Sequence, residues 1–210
     1  MKKIILDILA DSISVKERFF HAHTDTILEA ADRLSICLAS GHKILLFGNG
    51  GSAADAQHLA AEFVNRFRIE RHPLAAVALT TDTSILSSIG NDYSFDDLFS
   101  KQVQALGKAG DVALGISTSG NSENVVRAMK AANEFGMATI GFSGKGGRMA
   151  DHADLLFRVP SGVTARVQET HILLGHILCD LVDRILFPMA FDSAHSDTHR
   201  IDSFIPPDHG

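Results

Sequence analysis

The sequence holds no Lys/Arg run longer than two residues, no apolar stretch near the ~20 residues that a bilayer crossing requires, and only two cysteines among 210 residues. Each shortage removes a class of function. Without a basic run, and with a formal net charge of −6, the chain lacks the footprint of a nucleic-acid binder. Without a long apolar segment, no membrane partner is expected. Asp7 and Asp11 interrupt the apolar N-terminus before a signal-peptide core can form, so a cytoplasmic protein is expected. Cys37 and Cys179 sit far apart in apolar, helix-like surroundings and read as reduced core thiols rather than a disulfide. There is no internal repeat and no low-complexity segment. With 45% apolar and 21% charged residues, the chain suits a globular domain with a full core.

Two kinds of hydrophobic period alternate along the chain. Ile4, Ile5, Ile8, Leu9 and Ile13 recur at helical spacing, and Ile27, Leu28, Ala31, Leu34 and Leu38 repeat it, which predicts two N-terminal helices ending at Gly41. Short continuous apolar runs follow, at 43–47, 75–79, 112–116, 138–142 and 155–159. Helix-like stretches separate them, at 52–67, 83–89 and 121–135, with a short piece near 147–150. A last helix of about six turns is expected from Thr164 to Phe187, stopped by Pro188. Strands that are apolar throughout, alternating with helices, predict an α/β fold: a flavodoxin-like three-layer sandwich with a five-stranded parallel sheet covered on both faces. Residues 1–188 are expected to form one domain, and 189–210 a flexible tail. His195 and His199 in that tail are four apart, a spacing that can place two metal ligands on one helical turn, but their surroundings are poor for a helix.

Two strands end in loops rich in Gly, Ser and Asn. One is Gly48-Asn49-Gly50-Gly51-Ser52, the other Ser117-Thr118-Ser119-Gly120-Asn121-Ser122, and a helix follows each. Helix N-termini present unpaired N–H groups and a positive dipole end, and glycines let an anion approach the backbone closely. Neither loop is a P-loop or a dinucleotide fingerprint. In the strand order 2-1-3-4-5, strands one and three are neighbours whose helices leave to opposite faces, and ligands bind in the crevice between them. The competing reading of each loop is ordinary turn and N-cap chemistry.

His58 and Glu62 lie four apart on the helix after the first loop and share a face. Gln168 and His176 lie eight apart on the last helix, about 80° around it from one another. If that helix packs beside the first loop, the four can converge. The set suits proton transfer between adjacent carbons of a carbohydrate, or a divalent metal such as zinc, for which Gln is an unusual ligand. Helix-surface residues that never meet are the alternative. Glu169 and His171 read as exposed or interface positions, and His21, His23, His42, His72 and His152 as surface ones.

Gly48-Asn49-Gly50-Gly51-Ser52-Ala53-Ala54-Asp55-Ala56-Gln57-His58 resembles the first-strand segment of the bacterial phosphoheptose isomerases. Those are sugar-isomerase (SIS) domain enzymes that convert sedoheptulose 7-phosphate to glycero-manno-heptose 7-phosphate. Thr80-Thr81-Asp82-Thr83, Gly90-Asn91-Asp92-Tyr93, Gly115–Ser122 and Ala165-Arg166-Val167-Gln168-Glu169 extend the likeness, which runs from about residue 5 to Pro188.

The resemblance implies a homotetramer with active sites between subunits. It implies that Ser117, Thr118, Ser119 and Ser122 hold the substrate phosphate. It places Asn49, Gly50, Gly51 and Ser52 along the sugar, with Asn91, Asp92 and Gln168 contributing. It makes His58, Glu62, Gln168 and His176 the ligands of one zinc ion, and Glu62 and His176 the acid–base pair. Ala165 stands where some members carry an acid, so no substrate contact is assigned to it. Parts of the chain also resemble a non-catalytic SIS adaptor of the bacterial replication initiator protein. That adaptor lacks the paired acid and base, which this sequence retains.

Overall fold

The computed structural model describes residues 1–191. Five strands, β1 (Ile44–Gly48), β2 (Ala76–Ala78), β3 (Val112–Ser117), β4 (Ala138–Ser143) and β5 (Leu155–Arg158), form one parallel sheet in the order β2-β1-β3-β4-β5. The helices are α1 (Lys2–Ala39), α2 (Gly51–Val64), α3 (Thr83–Asp92), α4 (Leu98–Leu106), α5 (Glu123–Glu134) and α6 (Thr164–Leu186). The central strands β1, β3 and β4 are almost wholly buried because both faces are covered, whereas the edge strands β2 and β5 expose Val77 and Arg158. Ile44 and Leu46 of β1 join the core under α1, α2 and α6. Leu45 and Phe47 point the other way, into the core under α3, α4 and α5. The helix after β1 and the helix after β3 therefore lie on opposite faces, as the expected strand order requires. No helix of the described residues is long and apolar enough to cross a membrane.

Three expectations are corrected. The N-terminal segment is one continuous helix of 38 residues, not two. Neither Gly nor Pro occurs between Lys2 and Ala39, so nothing interrupts the backbone where the apolar stripe changes phase. Its packing begins at Val15 and Phe19 and continues through Ile27, Ala30, Ala31 and Leu34, all buried, whereas Ile4, Ile5, Ile8, Leu9 and Ile13 are about half exposed. Spacing did not signal α4, whose Leu98, Phe99 and Val103 are buried against the sheet. His171 is 1% exposed rather than superficial. Its Nε2–H donates to the Ser143 carbonyl at 3.1 Å, and burial lowers its pKa to about 4, so the ring is neutral. Residues 188–191 add one helical turn. The rest of the expected tail, including His195, His199 and His209, lies outside the described residues.

The contact that sets the site is the crossing of α2 and α6. Gly175 stands at the crossing, where an added Cβ would lie 2.5 and 2.7 Å from the methyl carbons of Leu59. Leu59 is itself 2% exposed, so its methyls have nowhere to retreat. Just beyond the end of α2, Arg71 donates to the carbonyls of Glu62 and Phe63, each at 2.8 Å. Its Nε meets Asp183 of α6 at 2.7 Å, with both side chains 1% exposed. One guanidinium thus satisfies the orphaned carbonyls of α2 and ties that helix to α6. Removing one partner of a buried pair leaves an uncompensated charge. Arg71→Ala and Asp183→Ala should each lose about 3–5 kcal/mol in equilibrium denaturation. An Arg71→Met/Asp183→Leu double variant should recover part of the loss, the α2 carbonyls remaining unpaired.

Candidate active site

At the carboxyl end of β1, Gly48 pairs with Ile116 of β3. A Cβ there would meet the Ile116 carbonyl oxygen and Ser52 Cβ, both at 2.8 Å. Gly50 turns the chain with φ +56 and caps α2. The next loop is built from hydroxyls. Ser117 Oγ lies 3.0 Å from Ser122 Oγ and 3.4 Å from Ser119 Oγ, and Ser122 is the N-cap of α5. Three hydroxyls thus gather beside a helix N-terminus, an arrangement suited to an anion. The two loops are locked together by a reciprocal amide pair: Asn49 and Asn124 each donate to the other, at 2.8 and 2.9 Å. Asn124 is 2% exposed, so this pair is a fixed strut and commits the Asn49 side chain to holding the loops.

The segment after β4 clamps the serine loop from behind. Gly144 N–H donates to the Thr118 carbonyl at 3.1 Å and Met149 N–H to that of Gly120 at 2.9 Å. A Cβ on Gly120 (φ +65) would stand 2.0 Å from the Gly146 carbonyl oxygen, so these backbones touch only as glycines. Beside the serine loop opens a cavity of about 540 Å³, lined by Thr118, Ser119 and Asn121 together with Lys145, Gly162 and Thr164.

The second group gathers where α2 crosses α6. His58 Nε2 and His176 Nε2 are 2.8 Å apart, one ring donating to the other. His58 Nε2 lies 3.3 Å from Glu62 Oε1. One ligand atom from each of His58, Glu62 and His176 falls within 4.8 Å of the others. Phe67 stacks on the His176 ring, with centroids 5.4 Å apart and planes at 19°. Burial, and then the charge of His58, hold His176 below the ordinary imidazole range, with Glu62 opposing. Two imidazoles and a carboxylate are a donor set that fits a divalent metal of zinc's softness. Gln168, eight residues earlier on α6, lies against the first loop: its Nε2 is 2.6 Å from where a Cβ on Gly51 would stand. One helix therefore presents His176 to α2 and Gln168 to the β1 loop.

The remaining candidates sit further out. Ser52 is 4% exposed in the first turn of α2. Asn91 and Asp92 end α3, exposed, with Asn91 donating to Asp92 at 2.8 Å. Three residues at the site escaped the sequence reading, the first two because they give no signal by spacing. Asn124 sits in a polar helix start, and Gly175 looks like an ordinary helix glycine. Lys145 belongs to Gly144-Lys145-Gly146-Gly147, a glycine cluster after a strand, the same signal as the other two loops.

A family model described as SIS domain matches residues 9–144. A phosphoheptose isomerase of Nitratidesulfovibrio vulgaris is 58% identical over 187 residues, covering 89% of this chain and 90% of that one. One from Aquifex aeolicus is 52% identical over 187 residues, covering 89% and 98%. The solved phosphoheptose isomerase of Neisseria gonorrhoeae superposes with a TM-score of 0.82 at 50% identity, covering 87% of this chain and 98% of that one. Similar in sequence and fold along most of its length, the chain belongs to the SIS-domain family and, within it, to the phosphoheptose isomerases.

Proposed function

We propose that this protein converts sedoheptulose 7-phosphate to D-glycero-D-manno-heptose 7-phosphate through an enediol, the first step of nucleotide-activated heptose synthesis, in the cytoplasm. The carrying observation is the convergence of Glu62 with His58 and His176 on two crossing helices, in a chain 58% identical to a phosphoheptose isomerase. It supplies the acid and base that the adaptor reading lacks.

In this reading residues 1–188 act as one SIS domain. The phosphate binds at Ser117, Thr118, Ser119 and Ser122, remote from the reacting carbons, so that its binding energy orients them. The backbone of Asn49, Gly50 and Gly51, with Ser52 and the Gln168 amide, lines the sugar, and Asn91 and Asp92 contribute from the end of α3. Glu62 removes a proton from C1 of the ketose, leaving the enediol. His176 passes a proton between the two oxygens or returns the proton to C2, completing the aldose. His58, Glu62, Gln168 and His176 would hold one divalent metal, zinc by donor type. When bound, it supplies positive charge against the oxygens that become negative.

The working unit in this reading is a homotetramer with active sites between subunits. The half-exposed row Ile4, Ile5, Ile8, Leu9 and Ile13 on α1 supports it, because contiguous exposed apolar surface marks association sites. In sedimentation velocity the protein should run as a tetramer, and Ile5→Asp/Leu9→Asp as a smaller species; a monomeric unaltered protein would refute the assembly.

Glu62→Gln should lower turnover of sedoheptulose 7-phosphate by about 10²–10⁴-fold while binding persists in calorimetry. Near-normal turnover would remove Glu62 as the base. Ser119→Ala should weaken phosphorylated ligands by roughly tenfold and leave unphosphorylated sedoheptulose unaffected. Equal affinity of the variant and the unaltered protein for the phosphorylated ligand would move the phosphate elsewhere.

A further inference from the structure

The serine loop offers an anion only neutral donors. Its hydroxyls and amides are uncharged, and the acid in the first turn of α5, Glu123, is already met by Arg127 at 2.9 Å and Arg148 at 2.8 Å. Arg148 is committed further, donating to the Asn121 carbonyl at 3.3 Å. A sugar phosphate resting on such a loop would meet the partial charge of the α5 N-terminus and no formal positive charge.

Lys145 is placed to supply the missing cation. It is the one charged residue lining the 540 Å³ cavity, and among the described residues its ammonium has no carboxylate partner. Its backbone starts beside the serine loop, since the preceding residue, Gly144, donates to the Thr118 carbonyl at 3.1 Å. Its head reaches across to the far wall, where Nζ lies 3.5 Å from the Cβ position of Gly162. Its backbone is held against the serine loop on the other side too, where the Gly146 carbonyl packs on Gly120, so only the lysine side chain has to move. A compact point charge on a flexible stem suits a phosphate whose orientation the hydroxyls already fix.

We propose that Lys145 is a phosphate-binding residue of this site, arching over the serine loop and pairing with the anion held there. It selects phosphorylated sugars over neutral ones. The assignment rests on the serine loop being the phosphate anchor of the proposed isomerase.

The test is calorimetric titration of inorganic phosphate and of sedoheptulose 7-phosphate into the unaltered protein, Lys145→Met and Lys145→Arg, with steady-state kinetics alongside. Lys145 is exposed, so neither variant endangers the fold. Lys145→Met should weaken both ligands by about tenfold. That difference should shrink in high salt, because the pair is open to solvent. Lys145→Arg should stay within about threefold of the unaltered protein, and the kinetic loss in Lys145→Met should fall on KM rather than kcat. Unchanged phosphate affinity in Lys145→Met would overturn the proposal, as would equal losses in the Met and Arg variants or a loss confined to kcat. Lys145-dependent phosphate binding without turnover in the unaltered protein would leave this assignment standing and refute the isomerase reading. Turnover with Lys145-independent binding would do the reverse.

Discussion

The close crossing of α2 and α6 is the constraint on which the site depends. Two helices carrying ordinary side chains pack 8–10 Å apart. Here a glycine at 175 admits Leu59 into the helix surface, and the imidazoles at 58 and 176 come within 2.8 Å. Gly in a helix interior costs about 1 kcal/mol relative to Ala, and the close approach is the reason to tolerate it. The buried pair of Asp183 on α6 and Arg71 beyond the end of α2, where Arg71 also holds the last α2 carbonyls, resists sliding of the two helices. Further back, Arg166 ties the start of α6 to α1 through the Ile8 carbonyl at 3.3 Å and Asp11 at 3.8 Å. It also pairs with Glu169, which accepts from Ser12 at 2.6 Å. α6 is thus fixed at both ends, and the residues it delivers, Gln168 and His176, inherit that rigidity.

The sheet supplies the other half of the geometry. Because β1 and β3 are neighbours with helices on opposite faces, their loops open toward each other, and the Asn49–Asn124 pair holds them at fixed separation. Hydroxyls collect on the β3 side, and a carboxylate with imidazoles on the α2 side. A substrate with its charge at one end and its reacting carbons at the other matches that division. Hydroxyls that fix orientation suit the anchored end, and groups that exchange protons suit the other. The two glycine contacts, Gly48 against Ile116 and Gly120 against Gly146, let strands and loops approach closely enough to share one ligand.

Much of this was legible from local chemistry. Continuous apolar runs identified the strands, and i,i+4 spacing placed His58 and Glu62 on one face. What spacing missed depends on what lies across the gap. Two apolar patches on α1 suggested two helices, yet without Gly or Pro a change of stripe phase is a change of partner and not a break. His171 looked like an outward polar residue because periodicity cannot show that a carbonyl of β4 waits to accept from it. Gly175 and Asn124 are ordinary residues whose roles exist only in pairs, with Leu59 and with Asn49. Convergence of His176 with His58 was conditional on the packing of α6, and that packing is carried by Arg71, Asp183 and Arg166, none of which looks functional by itself.

Glu62 has two duties in the proposed chemistry that conflict if they use the same atom. A carboxylate bound to a cation is a weaker base, yet the reaction needs Glu62 to take a proton from carbon. Its two oxygens together offer about four lone-pair sites, so the oxygen facing His58 at 3.3 Å can hold the cluster while the other accepts the proton. The arrangement demands that the carboxylate not swing, since rotation would exchange the two roles. Its backbone is held where it needs to be: the Glu62 carbonyl accepts from Arg71 at 2.8 Å, and Arg71 is anchored in turn to α6. The same buried pair that joins the helices therefore also holds the backbone that carries Glu62 beside its imidazoles.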